Sequence, residues 1–264
     1  MTYSFSRLTS ASDCPYGWYK TYVLEEKGIS NSFAQGGTFA HELCEEVAKG
    51  NLTPRGASMR FIAEWFEQVS MDYPKFPNSN FDLKEHYYQK IQPFFDRKAY
   101  WRGEVVAVEE HIIVDLPDGN KFQGYIDLVL KDKRTSGINL VDHKISKRFS
   151  GEDLIKKQRQ LYLYGYGYKQ IHGVYPEKLI FNFFQEPSNP IVITFNKHYM
   201  NEAVQWAMDQ IKLIEEMQER GVYEPNFEKL TNDDGTRDFF CQNLCNHRLS
   251  CKYVEGDYFK QQPT

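Results

Sequence analysis

The stretch Phe122-Gln123-Gly124-Tyr125-Ile126-Asp127-Leu128-Val129-Leu130, followed after a short turn by Asn139-Leu140-Val141-Asp142-His143-Lys144, decides the fold. Both runs are dense in β-branched and large apolar residues, the composition of strands. The polar link Asp132–Gly137 is too short for a crossover, so the two strands pair antiparallel. Upstream, Glu104–Leu116 is a third β-like run, joined to the first by the turn signal Pro117-Asp118-Gly119-Asn120. Asp127 lies among large apolar residues, where a carboxylate is costly unless it is compensated. Asp142 and Lys144, two apart on a strand, share a face. Antiparallel pairing can bring both carboxylates to one spot with an ammonium beside them. Two hard carboxylates a few ångström apart suit Mg²⁺ or Mn²⁺. The plainer alternative is two strand-end acids and a solvated lysine.

Outward from this meander the pattern turns helical. Gly37–Lys49 carries Phe39, Leu43 and Val47 at helical spacing, and Ala57–Ser70 carries Phe61, Trp65, Phe66 and Val69. Residues 71–82 read as a loop, and Leu83–Gln92 as a helix that Pro93 stops. Residues 1–24 read as an irregular segment leading into a short helix. Past the meander, Glu152–His172 is a long helix, Lys178–Gln185 and Ile191–Phe195 are strands, and His198–Arg220 is an amphipathic helix. The expected fold is therefore α/β: a central mixed β-sheet flanked by helices, with a cysteine-containing C-terminal tail. One domain is expected over 1–264: a helical part to about residue 100, the sheet and its helices over about 101–220, and a Cys-rich tail over about 221–264.

Length and composition agree. A chain of 264 residues can bury a large core, and 41% apolar with 26% charged residues excludes wholesale disorder. No apolar run approaches the length of a membrane span, and the N-terminus lacks a signal-peptide pattern. The expectation is a cytoplasmic protein with no membrane partner. The net charge of −4 does not fit a protein that coats nucleic acid, but it permits a local groove. Lys144, Lys147, Arg148, Lys156, Lys157 and Arg159 against Glu152 and Asp153 give a local +4 beside the carboxylates, suited to backbone phosphates; a solvated helix face would look the same. Strand alternation puts Glu110 among Val106, Val108, Ile112 and Val114. Assistance to a second metal and an edge-strand charge fit Glu110 equally, so Glu109 and Glu110 are left off the site.

With the flanking segments added, the set resembles the PD-(D/E)XK nuclease superfamily, and within it the RecB-like exonuclease branch. Gly124-Tyr125-Ile126-Asp127 is similar to that branch's G-x-x-D motif, and Asp142-His143-Lys144 to its (D/E)-x-K motif. Gly37-Thr38-Phe39-Ala40-His41 is similar to its G-x-x-x-H segment, and Gln160-Leu161-Tyr162-Leu163-Tyr164 to its Q-x-x-x-Y segment. The resemblance runs from about residue 4 to residue 251, and its weight lies in the order of four individually weak motifs. It implies a restriction-endonuclease-like core that hydrolyses DNA phosphodiesters by metal-activated water. It makes Asp127, Asp142 and His41 metal ligands, with the backbone carbonyl of His143 contributing. It has Lys144 assist the attacking water and gives Gln160 and Tyr164 a role in contacting DNA or supporting Lys144. Taken singly, His41 on a helix also reads as a structural histidine, and Tyr164 as a core residue.

Cys14, Cys241, Cys245 and Cys251 resemble the iron–sulfur staple of several RecB-like nucleases, which implies a [4Fe–4S] cluster tying the chain ends together. The chain departs from that pattern by placing three residues, not two, between Cys241 and Cys245. A Zn²⁺ site using His247 and free thiols are the other readings, and Cys44 reads as a core cysteine. The implied activity is a DNA exonuclease of recombination, repair or phage DNA processing. DNA, single-stranded or as duplex ends, is its substrate, a helicase or recombinase its partner class, and a homo-oligomer is compatible with it, the subunit number being left open. The competing class is a non-catalytic DNA-binding or scaffold member of the same fold, disfavoured by the presence of Asp127, Asp142 and Lys144 together.

Overall fold

The computed structural model describes residues 1–70, 80–96, 103–186, 189–232, 235 and 238–254. The three expected meander strands are β2 (Glu104–Asp115), β3 (Lys121–Lys131) and β4 (Ile138–Lys144), antiparallel in sequence. A parallel partner, β5 (Lys178–Phe183), follows β4, and β6 (Ile191–Thr194) closes the sheet antiparallel to β5. The sixth strand differs from expectation. Thr2–Ser4, read as irregular, forms β1 and pairs parallel with Lys121–Gln123. It leads into helices α1 (Phe5–Asp13) and α2 (Pro15–Tyr22). Three residues are too few to show an alternation; it is Tyr3, 1% exposed beneath the core, that holds them in the sheet.

The pairing leaves a gap that matters. β2 runs along one edge of β3 over nearly its whole length. On the other edge β1 takes Lys121–Gln123 and β4 takes Leu128–Lys131. The stretch between them, Gly124–Asp127, faces the place where the two strands part.

Helices α6 (Gly151–His172) and α7 (Lys197–Arg220) cover one face of the sheet, burying Leu161, Tyr164, Ala207 and Ile211 against Ile112, Phe122, Ile126, Leu140 and Phe181. Each fully buried large apolar side chain contributes about 1.5–3 kcal/mol. Glycines in the left-handed conformation end both helices, Gly173 at φ 75° and Gly221 at φ 63°. A second core joins α3 (Ser32–Ala48), α4 (Pro54–Gln68) and α5 (Asn80–Asp96) around Phe39, Phe61, Trp65, Tyr87 and Phe184. Asn31 caps α3 by accepting from the Ala34 amide at 3.0 Å, and Thr53 with Pro54 starts α4 in the same way. The expected loop 71–82 lies outside the described residues up to 79, and its last three residues are helical. Pro93 does not stop α5. Phe94 and Phe95 beyond it are buried at 1% and 0% exposure, and that packing outweighs the missing hydrogen bond. Beyond α7 the tail forms one short helix, α8 (Phe227–Leu230), and a π-turn at Phe240–Leu244. Among the described residues no helix is long and apolar enough to cross a membrane.

Candidate active site

The two carboxylates come from strands held in register. Leu128 pairs with Val141, and continuing that register by one residue sets Asp127 opposite Asp142. The backbone N–H of His143 donates to Asp127 Oδ2 at 2.6 Å, fixing one carboxylate across the strand gap. Asp142 is buried, and its Oδ2 lies 2.6 Å from Lys144 Nζ. Burial, then repulsion from Asp142, pushes the Asp127 carboxyl well above the ordinary carboxylate range. A cation at this place would relieve the same repulsion.

α3 delivers His41 to this point. Gly36 and Gly37 let the helix approach its neighbours: a Cβ on Gly36 would meet Trp65 at 2.9 Å, and one on Gly37 would meet Ile145 at 3.2 Å. His41 Nδ1 stands 3.6 Å from Asp127 Oδ2. Burial draws the His41 pKa down, while Asp142 and the His143 backbone oppose it. The His143 imidazole is buried edge-on to His41, with ring centroids 6.1 Å apart. It also sits edge-on to the buried Phe94, its Nδ1 accepts from Asn182 Nδ2 at 2.9 Å, and burial depresses its pKa to about 3.

On the opposite wall, Lys144 Nζ donates to Gln160 Oε1 at 3.1 Å, and Gln160 Nε2 donates to Tyr164 Oη at 2.7 Å. The i, i+4 spacing on α6 makes this relay. Gly124 is required by it: a Cβ there would lie 2.5 Å from Tyr164 Cε1. Burial and the two aspartates raise the Tyr164 pKa, so the phenol keeps its proton. His41, Asp127, Asp142, His143, Lys144, Gln160 and Tyr164 all line one open cleft of about 1510 Å³, together with Ser4, Ser6 and Lys157. Of the basic patch read from the sequence, Lys144 and Lys157 reach this cleft. Lys156 lies 3.7 Å from Glu152, and Arg159 rests on the ring of Trp206.

Sequence reasoning missed Glu109. Its φ of 51° interrupts the alternation of β2. Ile112 and Val114 face the α6–α7 core, whereas Val108 packs on the other face with Leu128 and Val141. Glu110, expected among all four apolar neighbours, shares a face only with Ile112 and Val114 and contacts His172 of α6. The same break turns Glu109 toward the site. His41, Glu109 and Asp127 each present a donor atom within 4.8 Å of the other two, the one such triad of potential metal ligands among the described residues. Asp142, turned to Lys144, borders the triad. No periodicity could reveal this; the adjacent Glu pair inside a strand was the only signal.

The cysteine tail docks on α2 and the segment after it. Ile29 N donates to Asn246 O at 2.8 Å, Asn31 Nδ2 to Leu244 O at 2.9 Å, and Arg248 Nη1 to Ile29 O at 2.7 Å. This brings Cys241, Cys245 and Cys251 to Cys14, all four lining one cavity of about 430 Å³ with His247. Burial, then neighbouring thiols, pushes Cys241 up to about 12. Cys44 is buried in the second core.

A mixed sheet whose adjoining strands deliver an aspartate and an Asp-x-Lys to one cleft, under a helix carrying a histidine, defines a nuclease acting as a phosphodiester hydrolase. The chain belongs to the PD-(D/E)XK nuclease superfamily, whose family model matches residues 2–252. No curated protein matches it. Among solved structures, one from Eubacterium rectale, provisionally named an exonuclease, shares the fold at a TM-score of 0.54 and 13% identity, over 99% of this chain and 90% of that one. The structure of SSO0001 aligns at a TM-score of 0.40 and 14% identity, over 96% of this chain and 86% of that one.

Proposed function

We propose that the protein is a metal-dependent deoxyribonuclease that removes nucleotides from DNA ends, in the manner of a RecB-like exonuclease serving recombination, repair or phage DNA processing. The observation that carries this reading is the His41–Glu109–Asp127 triad beside the Asp142–Lys144 pair, where two adjoining clefts meet at His41 and Asp127. One imidazole and hard carboxylate oxygens are a donor set for Mg²⁺ or Mn²⁺. His41, Glu109, Asp127 and Asp142 would hold the ion, and the family resemblance adds the His143 carbonyl to that set. Such an ion supplies a more acidic water and neutralises charge on a phosphate. Lys144, held between Asp142 and Gln160, donates to the attacking water or to a non-bridging phosphate oxygen, where charge builds. Tyr164 and Gln160 hold that ammonium in place. Ser4, Ser6 and Lys157 on the cleft rim offer donors to flanking phosphates.

The chain works as one cytoplasmic domain in this reading, because its first strand belongs to the catalytic sheet and its tail closes on Cys14. The same reading gives the cysteine cavity a [4Fe–4S] cluster. Four thiols around one cavity support it. His247, the alternative zinc ligand, already meets Thr21 Oγ1 at 2.8 Å through Nε2, and its Nδ1 lies 3.8 Å from Glu26.

The test is digestion of end-labelled linear and circular DNA with Mg²⁺, Mn²⁺ or chelator. Linear DNA shortens only with the cation. Asp142→Ala abolishes hydrolysis, and Glu109→Gln lowers it by roughly 10²-fold, the scale seen when one preorganised group at a developing charge is lost. Undiminished hydrolysis by purified Asp142→Ala refutes the assignment.

A further inference from the structure

The outer face of the β2–β3 hairpin carries a feature that the hydrolytic reading leaves unused. Tyr125 stands two residues before Asp127 on β3, about 6.6 Å along the strand, and both residues line the same cleft. Tyr125 is 52% exposed and lines the cleft beside Gln123 and Asp127. Cross-strand, His111 is Tyr125's partner, and the two rings lie stacked at 4.3 Å with 7° between their planes. The pair continues the register that sets Glu109 opposite Asp127. One aromatic shelf thus borders the proposed metal ligands directly. His111 holds the phenol ring flat, so little side-chain freedom is left to lose on binding.

We infer that this shelf stacks an unpaired nucleobase of the strand whose phosphate lies at the metal site, which makes a single-stranded end the preferred substrate. The inference rests on the nuclease reading above and deepens it. An aromatic face binds any base with little sequence preference. A paired base has its edge tied to a partner and, behind the terminal pair, both faces covered by its neighbours, whereas an unpaired base is free to turn one face onto the phenol ring. The rim groups fit the same occupant. Ser4, Ser6, Gln123 and Lys157 supply polar and cationic contacts for a sugar–phosphate chain, while the shelf offers the apolar surface that a base needs. A merely structural cross-strand pair would be indifferent to what lies in the cleft.

The experiment compares Mn²⁺-dependent hydrolysis of single-stranded oligonucleotides that carry an abasic residue at the first, second or third position from the end with that of the intact oligonucleotide. The wild-type protein should lose roughly tenfold or more in kcat/KM at one of these positions, the scale of one base–aromatic stack. Tyr125→Ala should hydrolyse the intact oligonucleotide as slowly as wild type hydrolyses the abasic one, and should no longer distinguish the two. Tyr125→Trp should keep the distinction, and circular dichroism should show both variants folded. Equal rates on intact and abasic strands by wild type, or an unchanged preference in Tyr125→Ala, overturn the shelf while hydrolysis stands. A wild-type protein inert toward every DNA overturns the nuclease reading and the shelf with it.

Discussion

Replacing Gly124 with alanine tests whether the site is built as described. The added Cβ would lie 2.5 Å from Tyr164 Cε1 and 3.3 Å from Cδ1, where carbon atoms sit comfortably at about 3.5–4.0 Å. The tyrosine, 5% exposed between α6 and β3, must therefore move by about 1 Å without open space to receive it. Overpacking of this kind costs about 1–3 kcal/mol. In a chain of this size that lowers Tm by roughly 2–10 °C. The displacement also pulls the phenol from Gln160, held at 2.7 Å, and Gln160 is the partner of Lys144. Misplacement by about 1 Å near reacting groups can cost on the order of 10²-fold in rate, so Gly124→Ala should lose hydrolysis by a similar factor. Urea unfolding followed by circular dichroism, on Gly124→Ala, Tyr164→Ala and the double variant, isolates the contact. With the ring removed, the added methyl should cost nothing further, giving a coupling of about 1 kcal/mol or more. If Gly124→Ala is as stable as wild type, or the two changes add without coupling, the close approach of β3 to α6 is wrong.

Two further outcomes follow from buried groups. His143, with a folded-state pKa of about 3, is held neutral, whereas its unfolded value is about 6.5. The unfolded chain therefore binds a proton that the folded chain rejects. The resulting stability is fully present above about pH 6.5 and is lost as pH falls toward 3. Between pH 6.5 and 5 this amounts to roughly 2 kcal/mol, a slope that denaturant unfolding in chelator should show and that His143→Phe should reduce. An identical slope in the variant would remove His143 as the cause. At the other end of the molecule, Cys241→Ser should strip iron and brown colour from anaerobically purified protein. A cluster at a hundredfold saturation adds about 2.7 kcal/mol, so Tm should fall by roughly 5–10 °C; stoichiometric zinc, or no metal, in the wild-type protein would refute the cluster.

Much of this architecture was legible in the residues. Alternation and turn chemistry located β2, β3 and β4, and 3.6-residue periodicity located α6 and α7, because each is long enough to bury a regular face. Asp127 stood out as a charge in an apolar strand, and Asp142 with Lys144 by their spacing of two. What escaped depended on tertiary contact. β1 is a strand because β3 offers it an edge. α5 passes through Pro93 because two phenylalanines beyond it are buried. Glu109 reaches the site because one residue with positive φ resets the alternation, and a pattern read by parity assigns it to the wrong face. The exposure of Tyr125 was equally invisible, since nothing in the hairpin's own sequence says which part of its outer face a helix covers.

The most direct measurement is the anomalous scattering of Mn²⁺ soaked into crystals of the protein. A single strong peak within bonding distance of the Asp127 carboxylate, bounded by His41, Glu109 and Asp142 and lost in Asp127→Asn, is the expected result. A map with no peak there under millimolar Mn²⁺, or an ion whose position ignores that substitution, would contradict the proposal that these strands and α3 build a cation-dependent phosphodiesterase.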